Sequence, residues 1–189
     1  MGFHPIQLTL VFMKSRFLIP FLLVAFTSCR ESVDPEQLKV YDGPINSSVN
    51  TFIVQSDSAI VRTEITAARS LEFQNGNQEF PEGIEIKFYT KEGILESTME
   101  ADRGYFIREE NLYRGEGNVR IENLLKEQSL KTEEIFWNRS KKKIYTDKFV
   151  TIREKETQFN GNGMEADDSF SNYKLKQVTG VTQLPGEGS

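Results

Sequence analysis

Alternation of apolar and polar residues with a period of two, sustained from Val49 almost to the C-terminus, is the feature that most constrains this chain. Val61, Thr63, Ile65 and Ala67 alternate with Arg62, Glu64 and Thr66, and Ile84, Ile86 and Phe88 alternate with Glu85 and Lys87. Leu95, Ser97, Met99 and Ala101 alternate with Glu96, Thr98 and Glu100; Val119 and Ile121 flank Arg120, and Val150 and Ile152 flank Thr151. Successive side chains of a strand point to opposite faces, so each run reads as a strand with one buried and one wet face. No stretch longer than about ten residues carries a stripe of period 3.6, so the body is expected to be all-β and antiparallel.

Turn signals recur at a fixed spacing. Asn75-Gly76, Glu109-Glu110, Arg139-Ser140 and Ser171-Asn172 follow one another at 34, 30 and 32 residues, and Glu92-Gly93, Leu124-Leu125 and Lys155-Glu156 at 32 and 31. Met99-Glu100-Ala101-Asp102 returns as Met164-Glu165-Ala166-Asp167. The spacing predicts about four repeated hairpin units, none able to bury its apolar face alone, so the units must stack. A plain meander with regular turns is the other reading.

The N-terminus has a different grammar. Met13-Lys14-Ser15-Arg16 is a short basic segment, Phe17–Phe26 (FLIPFLLVAF) an apolar run, and Thr27-Ser28-Cys29 a small-residue approach to the only cysteine. This is the layout of a signal peptide. The run is short of the ~20 apolar residues that a membrane-spanning helix needs. Extending it backwards would put Lys14 and Arg16 in the hydrocarbon, so Met13 is the expected start and residues 1–12 an upstream extension. Small residues ahead of Cys29 resemble a bacterial lipobox, although Phe26 stands where the usual box has Leu. Residues 1–28 are therefore expected to be removed and Cys29 to be lipidated, a membrane anchor; a plain secretory peptide or an uncleaved anchor is the alternative. Residues 29–48, with Pro35, Gly43 and Pro44 among polar residues, read as a tether. The β-body is expected over 49–182, and 183–189 reads as a disordered tail.

These features exclude several chemistries. Cleavage before Cys29 removes His4, the one histidine, and leaves no Ser-His-Asp or Cys-His machinery and no histidine metal site. A single cysteine makes neither an internal disulfide nor a zinc-binding CxxC pair. The formal charge of −5 becomes more negative by two when Lys14 and Arg16 leave, and no basic block remains, so nucleic acid is not an expected partner. The acid pairs Glu109-Glu110, Glu133-Glu134 and Asp167-Asp168 are neighbours on strands or turns and point apart, so catalysis, metal and cofactor are not expected. Lys141-Lys142-Lys143 reads as a solvated hairpin end.

Several segments, in order, resemble those of LptC-type periplasmic components of the lipopolysaccharide export ABC transporter: Glu79–Tyr89 (EFPEGIEIKFY), Ser97–Asp102 (STMEAD), Arg114–Val119 (RGEGNV), Thr132–Asn138 (TEEIFWN), Lys143–Asp147 (KIYTD) and Asp168–Tyr173 (DSFSNY). The resemblance runs from about Val49 to Val181. It implies an open, V-shaped β-jellyroll, shared with the bridge protein LptA and the N-terminal domain of LptD. It further implies a relay that takes lipopolysaccharide from the inner-membrane transporter towards the outer membrane across the periplasm. The better-known members carry an uncleaved transmembrane helix where this chain has Cys29.

Each methylene left in water costs ~0.8 kcal/mol, so a carrier must replace water around acyl chains with protein. The candidates to line such a groove are Val61, Ile65, Ile84, Ile86, Phe88, Met99, Val119, Ile121, Phe136, Trp137, Ile144, Val150 and Ile152; the competing reading is a closed core that binds nothing. Phe136 and Trp137 are adjacent and cannot share a face. Basic residues at the mouth, from among Lys87, Arg103, Arg108, Arg114 and Arg120, could steer a phosphorylated headgroup. By resemblance, Val49, Phe52 and Val54 mark an N-terminal edge strand for LptF/LptG-like transporter subunits. Tyr173, Leu175 and Val178 mark a C-terminal edge for an LptA-like bridge. A glycan-binding or scaffold lipoprotein of the same fold, and a carboxylate-based hydrolase, are the alternatives from other classes.

Overall fold

The computed structural model describes residues 41–183, so residues 1–28, Cys29, most of the tether and nearly all of the tail lie outside it. Eleven strands and no helix fill the described residues: β1 (Asn46–Asp57), β2 (Ile60–Glu72), β3 (Gln78–Phe80), β4 (Ile84–Tyr89), β5 (Leu95–Ala101), β6 (Arg103–Ile107), β7 (Leu112–Asn123), β8 (Gln128–Asn138), β9 (Lys143–Glu154), β10 (Thr157–Asp167) and β11 (Tyr173–Gln183). Both sets of spaced turn signals fall in the turns between strands. Three further breaks, at Ser58-Ala59, at 81–83 and at Asp102, raise the strand count above that of four simple hairpins. β1 opens at Asn46, inside the segment assigned to the tether, and Ile45 N already donates to Glu72 O at 2.7 Å.

All strands belong to one antiparallel sheet that folds over itself. One part of β2 pairs with β4 (Thr63–Thr66) and the other with β3 (Leu71 and Glu72). β7 divides likewise between β5 (Arg120–Asn123) and β6 (Leu112–Glu116). A line of irregularities runs through the points of division. Gly117 and Asn118 in β7 have φ of 79° and 45°, Gly163 in β10 has 73°, and Asn50 in β1 has 52°. The β8–β9 register breaks between Thr132 and Phe136. Bulges bend strands and sharpen their twist, and aligned bulges put a crease across the whole sheet. Backbone groups freed there find other partners. Asp102 N donates to Gly117 O at 3.0 Å, and Thr132 Oγ1 to Phe149 O at 2.9 Å. Gly117 is required at its place, because its φ is left-handed and an added Cβ would lie 3.0 Å from an Asp102 carboxylate oxygen.

The crease sets the apolar faces of the two halves against each other. Ile65, Ile86, Met99, Ile121, Leu130 and Ile152 from one half join Phe80, Ile135, Trp137, Ile144, Met164 and Phe170 from the other in a single buried cluster. Phe88 meets Trp137 edge-on across the two halves, with ring centroids 4.9 Å apart, and Tyr113 stacks on Trp137 at 5.2 Å. This is the all-β jellyroll expected from the sequence. It is open, since among the described residues β1 pairs only with β2, and β11 only with β10.

Candidate functional site

The inner face of the folded sheet holds nearly all of the groove candidates. Ile65, Ile84, Ile86, Phe88, Met99, Val119, Ile121, Trp137, Ile144, Val150 and Ile152 are buried, and Ile65, Ile121, Ile144, Val150 and Ile152 are completely so. Val61 shares the parity of Thr63 and Ile65 but sits near the strand end, half-buried. These side chains pack into a core in this state of the protein; they do not line an open channel.

Phe136 departs from the expectation. The bulge in β8 changes the parity of the strand: Leu130 and Thr132 are buried before it, Ile135 and Trp137 after it. Trp137 therefore points inward. Phe136 lies on the opposite face, half-buried, stacked on Tyr145 at 5.3 Å with the Arg114 guanidinium 5.9 Å from its ring centre. It is removed from the groove set.

The two halves meet again at the lips opposite the crease, through polar side chains. Arg139, in the β8–β9 turn, donates from Nη2 to Gln55 Oε1 of β1 at 2.6 Å and from Nη1 to Asn111 Oδ1 at 3.2 Å. Asn123 Nδ2 at the end of β7 donates to Ser169 O at 3.0 Å and to Ser171 Oγ at 3.3 Å in the β10–β11 turn. Ser171 Oγ in turn donates to Glu96 Oε1 of β5 at 2.6 Å. These bonds form a polar latch across the mouth. Beside it lies a half-open cleft of about 680 Å³, floored by Phe88 and Trp137 and walled by residues from both lips, Arg62, Lys91, Arg139 and Lys142 among them.

The basic residues singled out in the sequence are not those of the mouth. Arg114 pairs with Glu134 at 2.6 Å and Glu116 at 2.8 Å on the outer face, and Arg103 with Glu116 at 3.3 Å. Lys87 pairs with Glu85 at 3.3 Å, Arg108 packs over Gly76, and Arg120 borders a separate outer groove with Lys131, Lys148 and Phe149. Arg62 and Arg139 take the mouth instead. Arg62 alternates outward on β2, and only its place next to the β1–β2 turn brings its side chain to the cleft. Lys142, read as part of a solvated hairpin end, borders the cleft as well.

Titration around the mouth follows burial and hydrogen bonding. Desolvation pushes the Tyr113 hydroxyl, packed beneath Trp137, up to about 12, so it stays neutral. Tyr89, at the cleft wall, donates to Glu64 Oε2 at 2.7 Å, and that bond pushes its hydroxyl up to about 12. Burial raises the Asp168 carboxyl, while Lys142 nearby pulls the other way.

Both free edges carry exposed apolar residues among polar ones. Val49, Phe52 and Val54 are exposed on β1, and Val178 and Val181 on β11, Phe52 at 60% and Val178 at 59%. Tyr173 and Leu175 turn inward and pack half-buried against the core, so at the C-terminal edge it is Val178 that offers a contact. Free edges are templates for pairing with another strand.

Among the described residues no helix is long and apolar enough to cross a membrane, and no cluster of His, Cys, Asp or Glu could hold a metal ion. No curated protein matches the chain. The family model described as lipopolysaccharide-assembly, LptC-related matches residues 33–183, which takes in every strand of the sheet. With most of its length matched, the chain belongs to the LptC-related family and has a role in lipopolysaccharide transport, as a periplasmic, inner-membrane-associated protein of a Gram-negative bacterium.

Proposed function

We propose that this protein is a passive relay for lipopolysaccharide: it accepts the glycolipid from the transporter in the inner membrane, shelters its acyl chains between the two halves of the folded sheet and passes it to a jellyroll bridge. The observation that carries this reading is a sheet creased on one side and latched on the other by hydrogen bonds of polar side chains, with an apolar cluster inside. Parting the lips would expose that face to acyl chains while sugars and phosphates stayed in water. The apolar surface exposed on opening is covered again by the cargo, so the exchange is close to balanced. Lipidation at Cys29 would hold the domain at the membrane, and the tether would let it stand away. No phosphate-binding GxxxxGK[ST] loop occurs in the sequence, so directional movement would draw on the transporter's ATPase.

A photo-crosslinker scan in cells tests the reading. Probes at Ile86, Ile121 and Ile152, all buried inside, should give adducts with lipopolysaccharide, and probes at Lys87, Arg120 and Arg153, on the outer face, should not. Equal labelling at both sets, or none at either, would reject the relay.

The edges supply the partner contacts in this reading. β1 would meet LptF/LptG-like subunits, and β11 an LptA-like protein, by strand addition. Val178→Glu with Val181→Glu should leave stability within about 0.5 kcal/mol, since both side chains are exposed. The pair should reduce capture of the bridge protein in a pull-down at least tenfold. Undiminished capture would show that the bridge docks elsewhere.

A further inference from the structure

The mouth cleft contains an anomaly. Arg62 Nη1 and Trp137 Nε1 are both buried and have no hydrogen-bond partner among the described residues, and both residues border the cleft. Buried N–H groups are nearly always paired, and one left unpaired carries its full desolvation penalty. Both atoms can only donate, so whatever completes them brings acceptor oxygens. Arg139, fixed by Gln55 and Asn111, holds its guanidinium 6.0 Å from the Trp137 ring centre, and Lys142 borders the same cleft.

Two of the three acids that line the cleft accept hydrogen bonds from hydroxyls. Asp57 Oδ1 accepts from Ser58 Oγ at 3.1 Å, and Glu96 Oε1 from Ser171 Oγ at 2.6 Å. Burial raises the Asp168 carboxyl, and Lys142 opposes that shift. Glu92 lies close enough for Arg62 to lower its carboxyl, but it is fully exposed, and its largest stabilisation comes from Thr90. A guanidinium with a free N–H, a neighbouring indole N–H and two further cations suit a group with several charged oxygens in one small volume. The floor of the cleft is the Phe88–Trp137 pair, the outermost layer of the apolar interior. A ligand held there has its polar end at the lips and the apolar core directly below.

We infer that this cleft is a binding subsite for a phosphorylated sugar, with Arg62 and Trp137 Nε1 donating to the phosphate oxygens and Arg139 and Lys142 supplying the surrounding positive charge. The subsite rests on the relay reading: it names the part of the glycolipid that the mouth grips, the phosphate ester of its headgroup sugar, and it sets the register in which the chains enter.

The chain has a single tryptophan, so one indole N–H resonance reports on the site directly. The full chain, labelled with nitrogen-15, is titrated with glucosamine 1-phosphate, with inorganic phosphate and with glucosamine. The indole resonance should shift saturably with the sugar phosphate, at least tenfold more tightly than with inorganic phosphate, and should not respond to glucosamine. Arg62→Gln should weaken the response at least tenfold, and Arg62→Lys should restore part of it; unchanged methyl signals from the core away from the cleft in the ligand-free variants establish that the fold is intact. A resonance that does not move, an equal affinity for inorganic phosphate, a response to glucosamine, or an undiminished response in Arg62→Gln overturns the subsite. The probe has no acyl chain, so failure here leaves the interior crosslinks to lipopolysaccharide standing, and absence of those crosslinks leaves a positive titration standing.

Discussion

Replacing Trp137 by alanine is expected to lower the stability of the domain by about 3–5 kcal/mol, the range for deleting a buried aromatic side chain. The indole is 4% exposed, is met edge-on by Phe88 and is stacked by Tyr113, so its removal opens a cavity where the two halves of the sheet meet. Its neighbour Phe136 is the informative contrast. Phe136→Ala removes a half-buried ring from the outer face and a stack on Tyr145, and should cost about 1 kcal/mol. Trp137→Phe should be milder than Trp137→Ala, because it retains aromatic volume and deletes a donor that has no acceptor. Urea unfolding followed by circular dichroism measures all three. Comparable losses for Phe136→Ala and Trp137→Ala would mean that the bulge in β8 does not set the faces as described.

Fastening the mouth should have the largest functional effect. Asn123 and Ser171 touch across the lips at 3.3 Å, one at the end of β7 and the other in the β10–β11 turn. Cysteines at both positions can be joined by a cleavable bismaleimide. The bridged protein should lose at least nine-tenths of its lipopolysaccharide adducts at Ile86, and cleavage of the bridge should restore them. Capping both thiols separately should leave loading intact. Each latch bond exchanges with water on opening at a net cost of only about 0.5–1.5 kcal/mol, so the native latch closes the mouth without sealing it. If the bridged protein loads as well as the cleaved one, the cargo enters by another route.

The strands and the fold class were legible because alternation is a local signal. A strand such as Ile84–Tyr89 shows its buried side at 84, 86 and 88 without reference to anything else, and the spaced turns mark where most hairpins close. The resemblance then named the architecture. Legibility failed where a residue's fate depends on a distant strand. The crease is one case: nothing between Thr132 and Trp137 announces that parity changes, since an unpaired residue in a bulge looks like any other residue of an alternating run. The mouth is another. Arg103 and Arg114 look like free cations in the sequence, but the register of β6, β7 and β8 lays them beside Glu116 and Glu134. Arg62 looks like an ordinary solvent-facing residue, yet the fold brings its turn over Trp137, 75 positions further along the chain. Leu175 has a similar lesson: on the last strand, at a free edge, its side chain packs half-buried against the core.

The sequence by itself determined the period-two strands, the hairpin spacing and the apolar inner face, all of which follow from the order of residue types within one or two strands. Only the tertiary structure decided which half of each long strand faces which, that Trp137 and not Phe136 is inside, which arginines reach the mouth, and that polar bonds latch the lips. Those outcomes depend on where the sheet creases, and a crease is the joint result of bulges on several strands whose alignment exists only once the strands are paired.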